Sequence, residues 1–113
     1  MPTETISTVP NLAKVKGVHI DQPFSCLCRM EGTAILGTLT IEYQPKEALI
    51  ELFSLEAWAR SLATQRCFAE EVARLCFDEC ERALGDTPLR VIMHARTNVH
   101  APVRALIEER WGP

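Results

Sequence analysis

Hydrophobic and polar residues alternate along two early stretches of the chain and then change rhythm. In FSCLCR (24–29) an extended backbone places Phe24, Cys26 and Cys28 on one face and Ser25, Leu27 and Arg29 on the other. After the turn-like GTAILG segment, LGTLTIEY (36–43) sets Leu36, Thr38, Thr40 and Glu42 against Gly37, Leu39, Ile41 and Tyr43. This is the pattern of a half-buried strand, antiparallel to the first if a hairpin joins them, and Pro45 closes it. The rhythm then becomes helical. Ser54 is the expected N-cap of a helix carrying Leu55, Trp58 and Leu62, and the pattern resets around Thr64 to Cys67. A second helix is expected from Phe68, with Glu70 and Glu71 at the positive end of its dipole. Its apolar stripe is Phe68, Val72, Leu75 and Cys76, continued by Cys80 or Ala83 and Leu84; Gly85 suits the C-terminal cap and Pro88 forbids continuation.

LRVIMHA (89–95) reads as a strand of strong β-formers. The last segment is ambiguous: Pro102 favours an edge strand, while VRALIEERW has helical periodicity. With a final strand the order is ββααββ, an α+β layer with two helices on one face of an antiparallel sheet. Residues 1–22, polar and carrying Pro2, Pro10 and Gly17, read as an arm, with 23–113 as a single domain. Such a sheet leaves one face and both edges uncovered, which predicts a homo-oligomer.

Composition narrows the classes of function. A net charge of −3 gives no basic surface for nucleic acid. No apolar run approaches the roughly 18 residues needed to cross a membrane, and the N-terminus lacks a signal-peptide core, so a cytoplasmic protein with no membrane partner is expected. Five cysteines, an odd count in that setting, argue for reduced thiols rather than disulfides.

The chemistry-bearing residues each have a plain alternative. Cys26 and Cys28 could begin a zinc site, but no second pair and no histidine follow at ligand spacing, so no metal is expected. Cys67, Cys76 and Cys80 suit packing, and His94, among apolar residues, suits a satisfied structural histidine. Trp58 reads as a core anchor and Trp111 as a cover for an edge or interface. Glu70 and Glu71 are first-turn carboxylates, yet one carboxylate fixed there can accept two N–H bonds from a purine-like ring.

Laid in order, these segments resemble the small, single-module NADPH-dependent 7-cyano-7-deazaguanine reductases, the nitrile reductases of queuosine biosynthesis. The resemblance runs from ETIS at Glu4 through FSCLC, YQP at Tyr43, ELFSLE from Glu51 and FAE at 68–70, covering roughly residues 4 to 96. It implies the tunnelling fold shared with GTP cyclohydrolase I, assembled as a homo-oligomeric barrel that binds its base at subunit interfaces. It also implies Cys28 as a nucleophile that attacks a nitrile to give a thioimidate, Glu70 as the base-binding carboxylate, and Glu51, Ser54 and Leu55 as further substrate-binding positions. NADPH would be the hydride donor, in the service of tRNA modification. The departures are specific. The family's catalytic aspartate falls on Ile35, the histidine before its glutamate is Ala69, two lysines of its cofactor motif are Phe53 and Glu56, and its Arg-Gly-Gly is absent around HARTNVH. These losses count against NADPH and leave two alternatives: a thioimidate enzyme of the archaeosine-forming, amidinotransferase type that uses ammonia or an amine, and a non-catalytic paralogue that binds a base or only assembles.

Overall fold

Alternation governs Val18–Cys28 and Ala34–Tyr43, the first beginning earlier than the sequence pattern indicates. The computed structural model describes residues 2, 4–97 and 99–112. In chain order the elements are β1 (Thr8–Pro10), β2 (Val18–Cys28), β3 (Ala34–Tyr43), β4 (Ala48–Ile50), α1 (Leu52–Arg60), β5 (Arg66–Cys67), α2 (Ala69–Leu84), β6 (Leu89–Arg96) and β7 (Val103–Glu109). One five-stranded sheet has the order β5-β2-β3-β6-β7, and β1 pairs with β4 in a separate two-stranded ribbon. All neighbours in the large sheet are antiparallel except β2 and β5, which are parallel.

Both helices pack on one face of this sheet and close a single core. Leu39, Ile41, Val91 and Met93 from the central strands meet Leu55 of α1 and Val72, Cys76 and Phe77 of α2, each fully buried. Tyr43 completes this layer, its hydroxyl accepting a hydrogen bond from the Ile50 amide at 2.8 Å. On the opposite face the sheet is polar. His19 bridges Glu42 (3.1 Å) and Asp21 (3.0 Å), and Arg90 joins Glu42 at 2.7 Å. The carboxylates, Glu42 first, hold the exposed His19 imidazole above its usual range. Trp111 lies over the Arg90 guanidinium at 4.3 Å, beside the β7 edge. Among the described residues no helix is long and apolar enough to cross a membrane.

Four expectations need correction, and a fifth, the final strand, is borne out. The first long strand begins at Val18, not Phe24, so residues 18–22 of the polar arm are already sheet; Ile6, earlier in the same arm, is 2% exposed in the core. The N-cap of α1 is Glu51, whose carboxylate accepts from the Phe53 and Ser54 amides at 2.7 and 2.8 Å; Ser54 lies within the helix. The inward stripe of α2 runs through Val72, Ala73, Cys76, Phe77 and Cys80, with Leu75 only half-buried and Phe68 exposed. His94 faces solvent on the polar side of β6, so it is no core histidine. The expected final strand is present: Val103–Glu109 pairs antiparallel along β6 at the edge of the sheet, where the preceding Pro102 is tolerated.

Gly37 marks the tightest point of the sheet. It pairs with Phe24 on one side and Ala95 on the other, and a Cβ built there would meet the His94 carbonyl and come within 2.7 Å of the Phe24 ring. Backbone on one side leaves little room to relax. Gly37→Ala should therefore destabilise the fold by about 1–3 kcal/mol, the usual cost of forcing atoms into a packed site. Thermal unfolding checks this; an unchanged midpoint contradicts the packing described.

Candidate functional site

The end of β2 is held by backbone bonds on both of its edges. The Cys28 amide donates to the Thr33 carbonyl at 2.7 Å, and the Cys28 carbonyl accepts from Gly32 at 2.8 Å. Gly32 has φ +75°, a backbone conformation that L side chains rarely adopt, which permits this tight turn. On the other edge, Leu27 donates to the Gln65 carbonyl (2.9 Å) and Arg29 to the Cys67 carbonyl (3.2 Å), so β5 is fastened alongside. The chain then passes directly into α2. Strand end and helix start are thereby adjacent, and Cys28 faces the first turn of α2.

Between them lies a cavity of about 250 Å³. Its walls are Cys28 and Ile35 from the sheet, Met30 and Glu31 from the turn, Phe68, Ala69 and Glu70 from the start of α2, and Ala95, Arg96, Thr97, His100, Ala101 and Val103 from the β6–β7 side. Two residues singled out in the sequence, Cys28 and Glu70, thus meet in one cavity. Ile35 and Ala69, which stand where the resembling family has its aspartate and histidine, line it too and make those walls apolar.

The two first-turn carboxylates divide their tasks. Glu71 accepts from the Phe68 amide at 2.7 Å, from Arg29 Nε at 3.1 Å and from Arg29 Nη2 at 2.8 and 3.0 Å. The Phe68 N–H first, then the Arg29 guanidinium, hold its carboxyl below the ordinary range. Arg29 also lies over the Phe68 ring at 5.4 Å. Glu71 is thus a clamp between helix start and strand end. Glu70 makes no hydrogen bond or ion pair with the described residues and faces the cavity.

The two thiols of FSCLC also separate. Cys26 is 1% exposed, and burial, reinforced by the neighbouring Cys67 and Cys28 sulfurs, pushes its thiol up to about 12. At neutral pH it is a protonated packing residue. Cys28, 8% exposed, reaches the cavity wall. Cys67, Cys76 and Cys80 are buried, and burial raises Cys67 as well.

Glu51, Ser54 and Leu55 lie elsewhere in this chain, none lining that cavity. The Glu51 carboxylate caps α1, and the Phe53 and Ser54 amides lower its pKa. Ser54 Oγ donates to the Glu51 carbonyl and accepts from the Ser7 amide, each at 2.8 Å, and Leu55 is fully buried. Phe53, where the family carries a lysine, is 81% exposed. The groove along α1 offers Asp21 and Glu56 against one guanidinium, Arg60.

Sequence spacing missed one cluster. His100 Nε2 and Glu31 Oε1 are 2.6 Å apart, and an imidazole nitrogen, a carboxylate oxygen and Cys28 Sγ all lie within 4.8 Å of one another. Glu31 stands three residues beyond Cys28 in the tight turn, a signal that was available. His100 is separated from Cys28 by most of the chain and arrives only through the β6–β7 connection. The imidazole is engaged by the carboxylate, and the two form a hydrogen-bonded dyad.

No protein-family model matches the chain. Curated relatives do. The chain is 26% identical over 113 residues to the NADPH-dependent 7-cyano-7-deazaguanine reductase of Thermomicrobium roseum, covering 97% of this chain and 87% of that protein. It is 30% identical over 93 residues to the enzyme of the same name from Thiobacillus denitrificans, covering 80% and 67%. For the Aquifex aeolicus enzyme the identity is 29% over 106 residues, covering 91% and 82%. Among solved structures, the apo archaeosine synthase QueF-Like superposes with a TM-score of 0.79 at 16% identity, over 88% of this chain and 98% of that one. The α+β arrangement of two helices on a curled antiparallel sheet is therefore the tunnelling fold. By sequence, this chain belongs to the NADPH-dependent 7-cyano-7-deazaguanine reductase family.

Proposed function

We propose that the chain binds 7-cyano-7-deazaguanine, or a closely related purine-like base, between Cys28 and Glu70 and joins its nitrile carbon to Cys28 as a thioimidate. Family membership supports a queuosine-type function. The observation that carries the finer reading is the meeting of Cys28 and Glu70 in one cavity of about 250 Å³. That volume lies just below the ~300–1,000 Å³ of drug-sized sites, the scale of a single bicyclic base. Phe68 and the apolar Ile35 and Ala69 offer surface for the rings, and the Glu70 carboxylate can accept two ring N–H groups in charge-assisted bonds. Cys28 then adds across the nitrile: the sulfur–carbon bond forms, one C≡N π bond opens onto nitrogen, and that nitrogen takes a proton.

The residues at the family's cofactor-motif positions favour a second reading of the step after the thioimidate. With Phe53 and Glu56 in place of lysines, attack on the thioimidate by ammonia or an amine fits the chain better than hydride delivery from NADPH. Consumption of NADPH in the presence of the nitrile base would instead support reduction.

Glu51, Ser54 and the backbone of the fully buried Leu55 enter this reading only through a second subunit. Among the described residues the β7 edge and most of the free edge of β2 have no strand partner, and Leu106 and Leu36 are 54% and 59% exposed on the polar face. Copies that continue one sheet would cover these edges and could bring the α1 start of one subunit toward the cavity of another. Light scattering at micromolar concentration should therefore report an oligomer; a monomer contradicts this part.

Mass spectrometry with excess nitrile base tests the covalent step. The wild type should gain the mass of the base on Cys28, Cys28→Ala should lose the adduct, and Cys26→Ser should keep it, since Cys26 is a buried, protonated thiol. No adduct between pH 6 and 9 would leave a fold relative that binds or assembles without the chemistry. Glu70→Gln places an N–H against a ring donor and leaves one unpaired, so affinity measured by calorimetry should fall about tenfold or more. Unchanged affinity would return Glu70 to a helix-end charge.

A further inference from the structure

We infer that His100, oriented by Glu31, is the proton-transfer group for Cys28, standing in for the acid that Ile35 and Ala69 cannot supply. The site needs such a group twice. A free cysteine with pKa about 8.5 is only about 3% thiolate at pH 7, so the sulfur must lose a proton to attack. The nitrile nitrogen must gain one as the π pair moves onto it. A single imidazole serves both needs: it takes the thiol proton as the sulfur–carbon bond forms, and returns it to the nitrogen. No net proton, electron or co-reactant is required, and the thioimidate N–H carries the proton that began on sulfur.

Four observations place His100 in this role. It lines the same cavity as Cys28 and Glu70. An imidazole nitrogen lies within 4.8 Å of Cys28 Sγ, a separation that one water or a small closure spans before reaction. Nε2 is 2.6 Å from Glu31 Oε1, and with Nε2–H given to that carboxylate the neutral ring keeps its basic lone pair on Nδ1. The backbone is fixed as well, the His100 amide donating to Thr97 Oγ1 at 2.9 Å. The charged groups around the imidazole are Glu31 from the turn, Glu70 from α2 and Arg96 from β6. Glu31 acts through His100 and is a positioning residue.

The nitrile as proton acceptor rests on the base-binding reading; the activation of Cys28 does not. Iodoacetamide alkylation, with Cys28 followed by peptide mass mapping, therefore tests the dyad without any base. In wild type, Cys28 should react at pH 7 well ahead of Cys26. His100→Gln should slow it about tenfold at pH 7, toward the rate of an unassisted thiol, and move its pH–rate profile upward. Glu31→Gln should give a smaller slowing. His100→Ala should regain rate on addition of free imidazole, a response that a purely structural role would not produce. With the nitrile base, His100→Gln should slow adduct formation on the order of 100-fold at saturating base. Two results overturn the inference: a wild-type Cys28 that is not alkylated at pH 7, or an alkylation rate and pH profile that His100→Gln leaves unmoved. If the base fails to bind while His100 still controls alkylation, the base-binding reading falls and the dyad stands.

Discussion

Two residues of parallel pairing hold the site together. Leu27 and Cys28 at the end of β2 pair with Arg66 and Cys67 of β5, and one residue later the chain enters α2. Without that short ladder, the last residue of a strand and the first turn of a helix about 40 positions downstream would have no reason to be neighbours. Arg29 reinforces the junction from the other side. Its guanidinium ties to Glu71 and lies over Phe68, so strand end, β5 and helix start are fastened as one unit. Exposed ion pairs of this kind contribute little each, because solvent screens them and the side chains lose freedom. Here the value of the contact is geometric, since it leaves Glu70 as the first-turn carboxylate facing the cavity.

The same junction explains how two similar-looking cysteines take different roles. Both lie on the inward face of β2. Two residues of strand are enough to carry Cys26 into the core, where burial stabilises the neutral thiol, while Cys28 sits at the last position before the turn. Ile35 and Ala69 then make the cavity walls more apolar than an aspartate and a histidine would. The remaining polar side chains of the cavity are Glu31 from the turn after β2, Glu70 from α2, and Arg96, Thr97 and His100 from the β6–β7 side.

Much of this was legible in the sequence because it rests on local rules. Period-two alternation placed Phe24, Cys26 and Cys28 on the buried face, and the spacing of Leu55 and Trp58 marked α1, with Leu62 buried just beyond its end. Gly85, with φ +75°, ends α2 as its position suggests. What escaped had no local signature. Glutamate is not among the preferred N-cap residues, so Glu51 was passed over for Ser54. A two-residue strand such as β5 has no periodicity to detect. Val18–Gln22 contains Asp21 and His19 on the outward side, which disguised an alternating strand as a polar arm. His100 meets Cys28 only because β7 folds back along β6, a long-range pairing that no spacing in the chain reveals.

The central claim is that one cavity of this chain holds a nitrile-bearing deazaguanine between Cys28 and Glu70. A crystal structure of the protein soaked with 7-cyano-7-deazaguanine tests it most directly. The expected result is a sulfur–carbon bond from Cys28 to the former nitrile carbon, with the Glu70 carboxylate within hydrogen-bond distance of two ring nitrogens. A base bound away from Cys28, or an occupied cavity in which Glu70 touches no part of the ring, would contradict it.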